Sequence, residues 1–135
     1  MGALSSRPPA ETDREWAFQW LTPDERSLWE QMSVADRRHS LLVARRFAQL
    51  RPRATRPELA GALLHDVGKI ASGLGTWARV AATVVGPRGA RFRAYHDHEA
   101  IGARLLAEHG SDAATIELCR GEGPAFADLQ RADNF

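Results

Sequence analysis

The chain is poor in several things at once. Its 135 residues include one cysteine, one lysine and one tyrosine. A lone Cys119 allows no internal disulfide and no cysteine-rich zinc site, and it fits a reducing compartment. Basic residues number 18 and acidic residues 17. The resulting net charge of +1 gives no strong field to draw nucleic acid or an anionic membrane. No apolar run approaches the roughly 18 residues of a membrane span. Behind Arg7, Pro8 and Pro9 there is no hydrophobic segment, so no signal peptide is expected. Together these absences predict a cytoplasmic protein with no nucleic-acid or membrane partner. They leave its oligomeric state open.

What is present has globular proportions, 44% hydrophobic and 26% charged, on a chain long enough for one domain with a real core. Residues 1–12 are mostly polar or small and are expected to be flexible, with a single domain over residues 13–135. Trp16, Phe18, Trp20 and Leu21 read as a helical turn packed on that domain. Thr22-Pro23-Asp24-Glu25 is a capping box with proline at the first helical position. It predicts a helix to about Gln31, with Leu28 and Trp29 inward. Ser33 caps a second helix to about Leu50, whose inner stripe takes in His39, Leu42, Val43, Phe47 and Leu50. Arg51 to Ala54 is a linker, and Thr55-Arg56-Pro57-Glu58 repeats the capping box.

Later signals are less regular. Ile70 to Thr76 reads as a loop, Trp77 to Val85 as a helix that would tolerate a strand, and Gly86-Pro87-Arg88-Gly89 as a stop. A basic loop with Arg88, Arg91 and Arg93 leads to a helix from His96 to about Gly110. On it His98, Ile101, Gly102 and Leu105 share a face, and His96 points well away from His98. Ser111 or Asp112 caps a helix holding Ile116, Leu118 and Cys119. Ala125 to Phe135 places Phe126, Leu129 and Asp133 on one stripe. With no period-2 strand, the chain reads as an all-α bundle of about six helices.

One stretch concentrates chemistry: Leu63-Leu64-His65-Asp66-Val67-Gly68-Lys69. It reads as the end of a helix that is apolar nearly all round and therefore buried. Yet it carries an imidazole, a carboxylate and the only lysine. Burying such groups unpaired costs several kcal/mol each. A bound cation would balance His65 and Asp66 together. An Asp66–Lys69 salt bridge beside a hydrogen-bonded core histidine would also satisfy the stretch.

His39 on one helix, His65-Asp66 on the next and Asp133 on the last give the order H…HD…D. The local contexts are Arg38-His39-Ser40, Ala62 to Lys69, His98-Glu99-Ala100-Ile101-Gly102, and Leu129 to Asp133. In these features the chain, from about Trp20 to Phe135, resembles the HD-domain superfamily of metal-dependent phosphohydrolases. The resemblance implies a compact all-helical domain and one divalent ion held by His39, His65, Asp66 and Asp133. It also implies a metal-activated water that attacks a small phosphorylated metabolite, with nucleotides among the candidates. Non-catalytic metal- or nucleotide-binding signalling modules also occur in the superfamily and form the competing reading.

Two imidazoles and two carboxylates suit Mn²⁺, Fe²⁺, Co²⁺, Ni²⁺ or Zn²⁺ better than Mg²⁺. Asp66, Lys69 and His98 are the expected catalytic residues, Lys69 by meeting charge on phosphoryl oxygens. His96, Arg88, Arg91 and Arg93 are candidate substrate contacts, with a solvated loop as the alternative for the arginines. Binuclear relatives carry further histidines after the HD pair. His98 could fill one such position, but Leu118 to Glu122 offers no second, so a single ion is expected.

Overall fold

The computed structural model describes residues 7–72 and 87–134, with the backbone alone over residues 71–72 and 87–97. Among the described residues there are seven α-helices and no strand: α1 (Glu11–Phe18), α2 (Pro23–Gln31), α3 (Val34–Leu50), α4 (Arg56–Leu64), α5 (Pro87–Glu108), α6 (Ala113–Cys119) and α7 (Phe126–Asp133). A short 3₁₀ segment, Val67–Ser72, follows α4.

Helix α4 sits at the centre because it has no polar face to offer water. Leu59 to Leu64 are all buried, and α3 and α6 pack on either side. Each buried leucine there contributes about 2 kcal/mol of transfer free energy. The side against α6 is made by Gly61, where an added Cβ would lie 2.8 Å from Leu118. Both capping boxes form as the sequence predicts, Thr22 with Glu25 and Thr55 with Glu58. The Glu25 carboxylate is fully buried. It balances that burial by accepting from the Thr22 amide at 2.9 Å and the Ser111 hydroxyl at 2.7 Å. Trp29 is buried too, its indole donating to Ser40 at 2.9 Å.

Several boundaries and faces differ from expectation. Leu42 and Leu50 are exposed, at 55% and 42%, and do not belong to the inner stripe of α3. Ser40, Leu41, Val43, Ala44 and Phe47 fill that face. The hydroxyl of Ser40 hid its inward position, because it is satisfied internally by the Arg37 carbonyl at 2.7 Å. Pro87 opens α5, so the stretch read as a stop begins a helix from Pro87 on. Proline is tolerated at a helix start, where its missing N–H is unneeded. Arg88, Arg91 and Arg93 thus lie within a helix and not in a basic loop, and the helix expected from His96 begins at Pro87. Asp112 stands at the N-cap of α6 without a capping bond, its carboxylate pairing with Arg56 instead. The expected helix at Trp77 to Val85 lies outside the described residues, as does Phe135. No helix of the described residues is long and apolar enough to cross a membrane.

Candidate metal centre

The α-helical hydrogen bonding of α4 ends at Leu64, so His65 caps it and Asp66 begins the turn into the 3₁₀ segment. This break turns both side chains off the buried helix into an open cavity of about 390 Å³. His39 reaches it from the middle of α3 and Asp133 from the end of α7. Lys69 and His98 line it as well.

Three ligand-type atoms, one each from His39, His65 and Asp133, lie within 4.8 Å of one another. Nε2 of His39 is 2.8 Å from Oδ1 of Asp133. Nε2 of His65 is 3.7 Å from that same oxygen and 3.4 Å from Oδ2 of Asp66. Adjacent ligands on an ion at about 2.1 Å are separated by about 3 Å, so this spacing suits a common cation. Asp66 flanks the group of three and also stands 3.6 Å from Nζ of Lys69.

The most telling atom is Nε2 of His65. The Nδ1–H of that ring donates to the Ala62 carbonyl at 2.7 Å. This bond fixes the tautomer and turns the Nε2 lone pair toward the cavity. There Nε2 is buried and has no hydrogen-bond partner. A buried acceptor without a donor costs about 1–3 kcal/mol, and a cation at that point removes the cost. The titration of the neighbours agrees. Burial pulls the His65 imidazole down, but Asp133 and Asp66 outweigh it and raise the pKa. The His65 imidazole, with His39, holds the Asp133 carboxyl down to about 2 against the opposing effect of burial. The pocket thus favours positive charge between these side chains. The donor set fits a divalent ion.

Asp133 is only two residues from the chain's last position, and its side chain is 42% exposed. Helix α7 is nonetheless fastened to α3. Nε of Arg46 donates to the Ala132 carbonyl at 3.1 Å, Arg51 pairs with Asp128 at 3.2 Å, and Leu129 and Ala132 are buried.

His98 arrives by a close backbone crossing. A Cβ added to Gly68 would fall 2.0 Å from the His98 carbonyl oxygen, and one added to Gly102 would meet Sγ of Cys119 at 2.7 Å. The buried face of α5 is Gly102, Ala103 and Leu106. At helical spacing that face includes Glu99. Glu99 lines the cavity and was missed by the sequence reading, which centred the face one residue early on His98 and Ile101. The run Glu99, Gly102, Ala103, Leu106 was the available signal. Also missed was Asp36, whose Oδ1 lies 3.6 Å from Nζ of Lys69. Cys119 lines the cavity, but burial pushes its thiol up to about 12, so it stays neutral. Glu122 is exposed. The side chains of His96, Arg88, Arg91 and Arg93 lie outside the described residues.

An all-helical fold with a His–Asp cluster at a break in its central helix defines the class. The family model for the HD domain matches residues 37–125, and the chain belongs to the HD-domain family, whose members are mostly metal-dependent phosphohydrolases and bind divalent metals. No curated protein and no solved structure matches the chain. The match contains His39, His65 and Asp66 and stops short of Asp133, which enters the centre on its geometry.

Lys69 sits between the carboxylates of Asp36 and Asp66. If the centre hydrolyses a phosphoester, Lys69→Ala is expected to lower turnover at least about tenfold, the loss of one charged contact in the transition state. Metal content should stay near that of the unaltered protein. Metal analysis beside steady-state kinetics separates the two effects. Loss of the metal would make Lys69 a structural partner of Asp66.

Proposed function

We propose that the protein hydrolyses a small phosphomonoester at a single divalent-metal centre held by His39, His65, Asp66 and Asp133. The buried, unpartnered Nε2 of His65, a residue that lines the open cavity, carries this reading. A bound divalent ion would make a coordinated water more acidic and neutralise charge on the phosphoryl group. Family membership favours a transition metal no more than another divalent ion. The preference for Mn²⁺, Fe²⁺, Co²⁺, Ni²⁺ or Zn²⁺ comes from the two imidazoles.

In this mechanism Asp66 accepts the proton of the attacking water, whose oxygen forms the new bond to phosphorus. The bond from phosphorus to the ester oxygen breaks on the opposite side. Lys69 holds the non-bridging phosphoryl oxygens as their charge develops. His98, across the cavity on α5, gives a proton to the departing oxygen.

Phosphate release from a panel of phosphoesters, with Mn²⁺, Co²⁺, Ni²⁺ and Mg²⁺ in turn, tests the proposal. Turnover that disappears with the ion supports it. Tight metal binding without turnover across the panel would select a binding or signalling module. His98→Gln should lower activity at least about tenfold, a barrier increase of about 1.4 kcal/mol, and His96→Gln much less. The reverse order would move the phosphate contact to the N-terminal half of α5.

A further inference from the structure

The candidate ligands come from three helices. His39 lies in the first half of α3, His65 caps the C-terminus of α4, and Asp133 is the last residue of α7. Among the described residues α7 packs chiefly on α3, and its direct packing on α4 is slight. The spacing of Asp133 from His65 is therefore set through α3 and through side chains that bridge α4 to α7.

Arg51 is such a bridge. It caps the C-terminus of α3, its backbone N–H donating to the Phe47 carbonyl at 2.8 Å. Its guanidinium donates twice to Glu58 of α4, from Nε to Oε1 at 3.1 Å and from Nη2 to Oε2 at 3.2 Å. Nη1 donates to Oδ2 of Asp128 on α7 at 3.2 Å. Glu58 is itself fixed by its capping box, Oε1 accepting from the Thr55 amide at 3.0 Å. Arg51 thus joins all three ligand-bearing helices.

An isolated, exposed ion pair would add little. Here the side chains of Arg51, Glu58 and Asp128 are only 29%, 13% and 23% exposed, which limits screening by salt. The guanidinium fork fixes direction as well as distance. Arg51 does not line the cavity. Along the helix axes Asp128 stands about 8 Å from Asp133, and Glu58 about 10 Å from His65. Arg51 therefore reaches the centre through the helices it holds.

We infer that Arg51 is a positioning residue for the metal centre, holding the helices of His39, His65 and Asp133 in register by bridging Glu58 and Asp128. The inference rests on the proposed centre and deepens it. A site whose supports slip by about 1 Å is already too loose. Charge alone argues the opposite for Arg51, because removing one cation favours binding of another. A loss of metal affinity in Arg51→Gln would thus report position and not field.

Calorimetric titration with Co²⁺ tests this on the unaltered protein, Arg51→Gln, Asp128→Asn, Asp128→Glu and the variant carrying both Arg51→Gln and Asp128→Asn. Each of Arg51→Gln and Asp128→Asn should weaken Co²⁺ binding about tenfold, within the range of indirect couplings. The double variant should lose no more than the more affected single one, since both remove the same link. Asp128→Glu keeps the pair and should bind within about twofold of the unaltered protein. Melts without metal establish that each variant is folded. Unchanged or tighter Co²⁺ binding by folded Arg51→Gln would overturn the inference, as would losses that multiply in the double variant. Should Arg51→Gln fail to fold, the two replacements of Asp128 decide, and equal binding by them overturns the inference. An unaltered protein that takes up no Co²⁺ would instead overturn the metal centre itself, and the role of Arg51 with it.

Discussion

Replacing His65 with alanine is expected to remove metal binding and phosphate release together. His65 is the one candidate ligand whose neighbours leave its lone pair nothing else to do. Its Nδ1–H is committed to Ala62, and Nε2 is buried without a partner. Loss of a partner one step behind a metal ligand already costs about 10–100-fold in affinity. Loss of the ligand itself should exceed about 100-fold in metal affinity, with activity falling by more. The fold should survive without metal, because the α4 core of Leu59 to Leu64 does not depend on the ring. In the unaltered protein, saturating metal should raise the melting temperature, since the ion binds only the folded chain. That rise should be absent in His65→Ala. Metal analysis, kinetics and thermal melts on the two proteins check all three statements. A variant that keeps both the ion and the rise in melting temperature would remove His65 from the centre.

The second large effect is on stability. Gly68→Ala would place a methyl carbon 2.0 Å from the backbone oxygen of His98. Backbone cannot swing aside as a flexible side chain can, so α5 must move as a body or the 3₁₀ segment must unwind. Overpacking in a core costs about 1–3 kcal/mol. A clash with backbone on both sides belongs at or above the top of that range, so about 3–4 kcal/mol is expected. For a chain of this size that is a fall of roughly 10 °C in melting temperature. Gly110→Ala is the control. Its φ is +73° but nothing lies within 4 Å of an added Cβ, so it should cost only about 1–2 kcal/mol. Denaturant unfolding of both variants measures the difference. Equal losses would mean that α5 does not cross the 3₁₀ segment so closely.

Much of this architecture was legible because the local chemistry left few choices. The starts of α2, α3 and α4 are written in Thr22, Ser33 and Thr55, each followed by an acidic residue three positions on, and all three side chains cap as read. The unbroken apolar surface of α4 pointed to the centre of the domain. His39, His65, Asp66, Lys69, His98 and Asp133 line one cavity from four separated segments.

What was misread depended on tertiary partners. Ser40 looks polar and is buried, because Trp29 and Arg37 satisfy its hydroxyl. Leu42 looks like core and is exposed, since hydrophobic side chains on a surface carry no penalty large enough to forbid them. Pro87 punctuates a chain in either direction; read as a stop, it opens α5. Glu99 escaped notice because a carboxylate on a buried face is expected only when something opposite receives it, and the cavity exists only once α5, α6 and α7 are assembled. Asp36 likewise reads as a first-turn acid of α3, and only the folded chain brings it beside Lys69.

X-ray absorption spectroscopy of the protein loaded with Co²⁺ tests the central claim most directly. The account predicts one ion per chain, with nitrogen and oxygen ligands at about 2.0–2.2 Å and scattering from two imidazole rings, those of His39 and His65. Failure to take up an ion, or an ion whose shell contains no imidazole, would contradict it.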